Sequence, residues 1–347
     1  MVIDTWVESV ASGLFRHRSG HCLSWANPSH PGYPYPELTG LLASLLARWP
    51  VDQSRGRELH DVLCDEAAVD GVRRGDVGYA FDTAMALRGV IDQRRLMSCH
   101  ELGRREAVAA EADPVPHWLD LLLRAVETRT ATTPAESLSP GTRWSLSFGA
   151  HQAKISAALV AALRAGVSGG PDAVGRTWAA LNQLEERTLG LQATDGRFRI
   201  HTASPLTYAH AHCYAVEGLL MMSELKDGSA VRDDARTDAI ERAVAWLASV
   251  QAEDGSVQAW YDGARTSGPV RTDATAQSVR LFRLVDSGAY ADEVDRGQAF
   301  LRQVASSHGV PYEPGSADLA SWSTIFAIQA LAPDGHRACP TRATDLV

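Results

Sequence analysis

The sequence predicts an all-α ring of six helical hairpins, an (α/α)6 toroid with short β-hairpin-like loops. Three observations carry that expectation. Residues 192–198 and 251–257 both read QxxDG, then any residue, then an apolar one, and each follows an amphipathic stretch. Around them, amphipathic segments alternate about six times with more apolar, Ala-rich segments of helical period, through loops rich in Gly, Pro and Asp. β-Branched runs bounded by turns, the mark of a parallel sheet, are missing.

The elements follow in order. The more apolar segments, read as inner helices, begin near Pro36, Phe81, Phe148, Leu206, Thr272 and Leu319. Their outer partners are expected around residues 4–16, 57–70, 114–128, 172–189, 232–250 and 291–305. Small residues recur in the inner segments (Ala150, Ala153, Ala157 and Ala158; Ala209, Ala211 and Ala215; Ala274 and Ala276), which lets helices approach closely, while outer helices carry charge toward solvent. Residues 197–200 and 257–261 are short strand-like pieces in the loops and predict small hairpins. One toroid domain over residues 1–335 and a C-terminal tail over 336–347 are expected.

Composition narrows the function. Hydrophobic residues make up 45% of the chain and charged ones 22%, which suits a globular protein with a large core and excludes disorder. A formal net charge of -9 and no Lys/Arg block argue against a nucleic-acid surface or a polybasic membrane anchor, leaving a small-molecule substrate as the expected partner. No apolar stretch is long enough to span a bilayer and the first residues lack a signal-peptide pattern, so a cytoplasmic location is expected. Cys22, Cys64, Cys99, Cys213 and Cys339 are far apart without a CxxC pair, and read as reduced thiols. Oligomeric state is not legible.

The QxxDG turns, with Phe198, Trp260 and Tyr261 nearby, resemble the repeat signature of the squalene cyclase and protein prenyltransferase toroid. The segments 33–40 (YPYPELTG), 81–83 (FDT) and 210–220 (HAHCYAVEGLL) are similar to a bacterial toroid family met in saccharide biosynthesis clusters. The resemblance implies the toroid fold and, more weakly, carbohydrate chemistry.

In such a ring the inner helices point their N-termini at one mouth, so residues at their starts converge. Glu37, Asp82, His151 and His210 are the expected acid–base groups, and Tyr35, Tyr79, Lys154, Tyr214, Asp273, Gln277, Trp260 and Trp322 the expected substrate-binding ones. Acids and bases among aromatic rings are the mix of a sugar pocket, where rings stack on the apolar sugar face and carboxylates or His move protons. Converging helix N-termini favour an anionic saccharide. The expected activity is therefore proton transfer on a saccharide intermediate, of epimerase, lyase or hydrolase type, without metal or cofactor. The alternatives are a terpenoid cyclase-like pocket using Trp144, Phe148, Trp260 and Trp322 to stabilise cations, and a non-catalytic glycan- or peptide-binding scaffold.

Plainer readings accompany these. Glu37, Asp82 and Asp273 also suit first-turn acids that complement helix dipoles. A zinc site from His201, His210 and Cys213 is an alternative, although the spacing is unlike that of usual zinc ligands. Asp233, Asp234 and Asp238 open an amphipathic outer segment, where acids cap and solvate. The DxDD acid motif of class II terpene cyclases is absent, as are GxGxxG, GxxxxGK[ST], GxSxG and HExxH.

Overall fold

The computed structural model describes residues 2–11, 13–27, 29–48, 53–65, 71–74, 77–100, 113–128, 149–167, 170, 172–225, 230–263, 265–336 and 338–347. Trp144 and Phe148 lie outside them, as does the side chain of Cys99.

Twelve α-helices alternate between two layers among the described residues. The inner layer consists of α2 (Pro36–Leu46), α4 (Ala80–His100), α6 (Ser156–Ala165, entered through a 3-10 turn, Ala150–Ile155), α8 (Ala209–Ser223), α10 (Thr272–Asp286) and α12 (Ser321–Leu331). The outer layer consists of α1 (Val2–Ala11), α3 (Gln53–Asp65), α5 (Pro114–Thr128), α7 (Ala173–Leu189), α9 (Ala230–Val250) and α11 (Ala291–Val304). Each inner helix packs on the next, and α12 returns to α2, so the ring closes. The fold is the (α/α)6 toroid that the alternation predicts.

Layer membership follows from pattern. In α12 every residue but Trp322 is buried, and in α8 all but Leu220 and Ser223, which is the all-round burial of a helix inside a ring. The outer α5 instead buries one stripe, from Val115 and Trp118 through Leu119, Leu122 and Val126, at helical spacing. The small residues of the inner segments are all buried, and at Gly40 the approach is so close that a Cβ would run into the Met85 carbonyl of α4.

Short strands decorate one end of the ring. β1 (Trp25–Ala26) pairs antiparallel with β7 (Leu319–Ala320), β2 (Arg73–Arg74) with β3 (Val77–Gly78), and β4 (Thr207–Tyr208) with β5 (Gln258–Asp262), which forms a hairpin with β6 (Arg265–Val270). The hairpin expected from residues 257–261 is present. Residues 197–200 form no strand; they hold a single bridge, Gln192 to Phe198, because the backbone there closes the QxxDG turn.

β1 and β7 also form the seam of the ring. The Ser321 hydroxyl donates to the Leu23 carbonyl, Asn27 Nδ2 donates to Asp318 Oδ1 at 2.5 Å, and Trp6 Nε1 donates to the Ser306 carbonyl at 3.0 Å. Contacts across nearly the whole chain thus join its first and last hairpins.

The residues expected as a C-terminal tail, 336–347, pack on the inner helices at their end. Ala343–Asp345 form a 3-10 turn, and Leu346 and Val347 are fully buried.

Candidate functional site

The second residue of every inner segment falls at the same level of the ring. These residues are Glu37 in α2, Phe81 in α4, His151 in the 3-10 turn before α6, His210 in α8, Asp273 in α10 and Trp322 in α12. Neighbours around the ring touch in pairs. Trp322 Nε1 donates to Glu37 Oε1 at 3.2 Å, the Phe81 and His151 rings lie 5.8 Å apart, and His210 Nδ1 lies 3.1 Å from Asp273 Oδ2. Tyr214, one turn deeper on α8, ties the pairs together. Its ring packs on His210 at 4.3 Å, on Phe81 at 5.4 Å and on Phe326 at 6.3 Å, and its hydroxyl donates to Glu37 Oε1 at 3.5 Å. Burial holds that hydroxyl well above its ordinary pKa, so it stays a donor.

The fourth residue of the same segments explains why the level is so regular. Thr39, Thr83, Thr275 and Thr324 each donate to the carbonyl at their helix start, and each accepts a backbone N–H from the preceding loop at 3.0 Å, from Cys22, Val72, Val257 and Val310. In α8 the position is His212, whose Nδ1 accepts the Phe198 N–H at 2.9 Å while Nε2 meets the Ala243 carbonyl at 3.2 Å. Five loops are thereby pinned at one height above their inner helices. Burial drives the His212 imidazole down to about 3, so it is a neutral structural group.

Aromatic walls rise from this level toward solvent. On one side Trp25, Tyr33, Tyr35 and Trp322 run edge to face at 5.6, 5.5 and 5.2 Å, from Tyr33, 44% exposed, down to buried Tyr35. On the other, Trp260 of β5 stacks on Tyr208 at 4.7 Å, and Tyr208 lies over His210 at 5.9 Å. The Tyr208 hydroxyl meets that of Tyr312 at 3.1 Å, and the Arg271 guanidinium sits 4.0 Å over the Tyr312 ring, paired with Glu313.

Beneath the level the ring is filled by ions. Glu217 of α8, fully buried, receives Lys154 Nζ on Oε2 at 2.5 Å, and Arg280 Nη2 and Gln277 Nε2 on Oε1 at 2.5 and 3.2 Å. The Val347 carbonyl accepts from Lys154 at 3.2 Å and Arg280 at 3.1 Å. Burial lowers the Lys154 ammonium to about 8. Burial alone would raise Glu217, but the Arg280 and Lys154 charges outweigh it and hold the carboxylate below its usual range.

Of the residues singled out from sequence, the structure therefore brings together Glu37, His151, His210, Asp273, Trp322 and Tyr214. Tyr35 and Trp260 stand in the walls. Asp82 is fully buried on α4, one residue past the shared level, and Tyr79 is the buried residue before that helix. Lys154 and Gln277 belong to the deeper Glu217 cluster. Sequence reading missed Tyr208 and Glu217. Tyr208 was recoverable, since it precedes α8 as Tyr35 precedes α2 and Tyr79 precedes α4.

Among the described residues, no three His, Cys, Asp or Glu side chains come together as a metal-ligand set. Cys213 is buried against Ser278, with burial raising its thiol, and His201 Nδ1 accepts a local N–H from Ala203. Cys22, Cys64, Cys213 and Cys339 are free thiols. Asp233 pairs with Arg236, which also holds Glu185 of α7 at 2.6 Å, an outer-layer structural role.

No protein-family model matches the chain, and no curated protein matches it in sequence. Solved structures do match in shape. An unsaturated glucuronyl hydrolase specific for heparin superposes with a TM-score of 0.65 at 11% identity, covering 95% of both chains. A polysaccharide lyase gives 0.61 at 12%, again over 95% of both chains. An ent-copalyl diphosphate synthase from Streptomyces platensis gives 0.50 at 19%, over 87% of this chain and 52% of its own. At such identities the likeness establishes the toroid and nothing finer.

Proposed function

We propose that this chain is a carbohydrate-active enzyme of hydrolase or lyase type, moving protons with Glu37 and the His210/Asp273 pair on an anionic saccharide. The observation that carries the reading is the shared second-residue level, where a carboxylate and a His–Asp pair both contact Tyr214. Asp273 Oδ2, 3.1 Å from His210 Nδ1, orients the imidazole, which suits His210 as general acid or base. Two donors, Trp322 Nε1 and the Tyr214 hydroxyl, orient Glu37 as its partner. Trp260 and Trp322, both part-exposed, offer ring surface to the sugar, with Tyr35 buried against Trp322, and six inner segments direct their N-terminal N–H groups toward the same end, favouring a uronate. The fold shared with glucuronyl hydrolases and a polysaccharide lyase supports this substrate class.

A terpenoid cyclase reading draws on the Phe81, Tyr214 and Phe326 rings and on the synthase of similar fold. A polar level carrying His151, His210, Glu37 and Asp273 argues against it, because a carbocation pocket needs apolar aromatic walls and one isolated acid.

The test is a panel of saturated and Δ4,5-unsaturated uronide disaccharides, followed by the ultraviolet absorbance of the conjugated double bond. Elimination raises it, hydrolysis of an unsaturated uronide lowers it, and epimerisation leaves it unchanged while altering the product's NMR spectrum. Glu37→Gln and His210→Gln should each lower turnover at least about a hundredfold with an unchanged melting temperature. Turnover that survives both substitutions, or variants that lose stability in place of turnover, would overturn the assignment.

A further inference from the structure

A cavity with a volume of about 560 Å³ opens toward the other end of the ring, lined by residues of α4, α6 and α8, the residues just after α2 and the last turn of the chain. On α4 its lining runs from Arg88 to Leu96, about 10 to 22 Å along the axis from Phe81 at the rise of 1.5 Å per residue. Its charged lining is unbalanced: Arg48, Arg88, Arg95, Arg164 and Arg342 surround one acid, Asp92.

Among the described residues outside the lining, two carboxylates reach these arginines. Asp345 takes Arg48 at 2.8 Å and Arg342 at 3.8 Å, and Glu224 takes Arg164 at 3.1 Å. Asp92 is shared, 3.6 Å from Arg48 and 3.5 Å from Arg88. Five guanidinium groups thus meet three carboxylates.

The deficit centres on Arg88, whose side chain is 3% exposed. Its Nη2 donates to the Thr344 carbonyl at 2.9 Å, but its Nη1 has no hydrogen-bond partner, and neither has Arg48 Nε. A buried guanidinium proton left unbonded is expensive, and native folds rarely leave one so. Burial lowers Arg88 to about 10, against the opposing pull of Asp92 and Glu217. Helix capping does not account for the cluster, because only Arg164 bonds a carbonyl at an inner-helix end, that of Glu224.

We propose that this rear cavity binds the phosphate of a small phosphate ester, with Arg88 Nη1 as the buried anchor and Arg48 and Arg95 around it. A tetrahedral oxyanion accepts from several directions at once, which a ring of guanidinium forks supplies. The volume exceeds that of a bare phosphate and falls within the range of small-ligand pockets, leaving room for a sugar-sized remainder.

The experiment is calorimetric titration of the full chain with glucose 6-phosphate, against glucose, inorganic phosphate and sodium sulfate at matched ionic strength. Saturable binding of the ester below about 1 mM is expected, with glucose silent and sulfate weaker. Arg95→Gln alters an exposed residue, retains the fold and should weaken the ester about tenfold, while Arg88→Gln should abolish binding. Glu37→Gln should bind as the parent does, since it lies at the opposite end. Three outcomes would overturn the proposal: no saturation by the ester, sulfate binding as tightly as the ester, or affinity that survives Arg95→Gln but falls with Glu37→Gln.

Discussion

At the scale of single residues, His212 offers a clean test because its equivalents in four other repeats are threonines. Its folded imidazole titrates near 3 while an unfolded histidine titrates near 6.5, so below about pH 6.5 the unfolded chain takes up a proton that the folded one refuses. Stability should therefore fall as pH drops from about 6.5 toward 3, by up to roughly 4–5 kcal/mol from this one group. In His212→Thr the hydroxyl can still accept the Phe198 N–H, and that acid limb should vanish. The smaller side chain leaves space beside Trp246, costing about 1–3 kcal/mol at neutral pH. Urea unfolding at pH 7 and pH 5 on both proteins checks this, and an unchanged acid limb in the variant would sink it. The sequence made the level of Glu37, His151, His210, Asp273 and Trp322 readable because helix starts punctuated by Pro, Gly and polar residues mark it. It did not reveal the threonine level below, since a Thr in a first helical turn is common and its partner N–H lies in a loop of no fixed length.

At the scale of elements, the two QxxDG turns are interlocking devices. Gln192 Nε2 donates to the Gly196 carbonyl within its turn and to the Ala239 carbonyl of α9, while its Oε1 accepts from Arg242. Gln251 repeats this with Gly255, Glu293 of α11 and Arg296. Each turn thus fastens the end of one outer helix to the next outer helix. Gly255 has φ +85°, and a Cβ there would strike the Arg296 carbonyl, so Gly255→Ala should destabilise by about 2–4 kcal/mol. Gln251→Ala should cost about 2 kcal/mol through its lost hydrogen bonds, with both values read from chemical denaturation. The motif was legible as a repeat, but its role was not, because the acceptors sit about 40 residues downstream. Among the outer helices α5 spans the expected 114–128, since one apolar stripe and a Pro at its first position fix both its face and its start, whereas α1 and α3 end about five residues before the expected 16 and 70.

At the scale of the whole molecule, the cluster joins Glu217 of α8 to Lys154 of the turn before α6 and to Gln277 and Arg280 of α10, and no local pattern announces such a meeting. Glu217→Gln leaves two buried cations without their anion and should cost about 3–5 kcal/mol in denaturant unfolding, the loss expected of a broken buried pair. A near-neutral result would mean that the Val347 carbonyl and Gln329 suffice for both cations. The seam between the first and last hairpins has a kinetic meaning. An open stack of helical pairs frays from either end, because each unit touches only its neighbours. A closed ring has no free end, and it gains that protection only when segments about 300 residues apart have found each other, the most entropically demanding loop closure in the chain. Closure is thus expected late, after adjacent hairpins have packed, so seam contacts are absent from the folding transition state. Trp6→Phe, which deletes the bond to Ser306, should then speed unfolding about fivefold and leave the refolding rate unaltered in stopped-flow chevrons. A slowed refolding limb would mean that the ring closes first and fills in afterwards. On the late-closure order, the seam acts as a latch on lifetime: it sets how long the native ring survives, and has no part in how fast it forms.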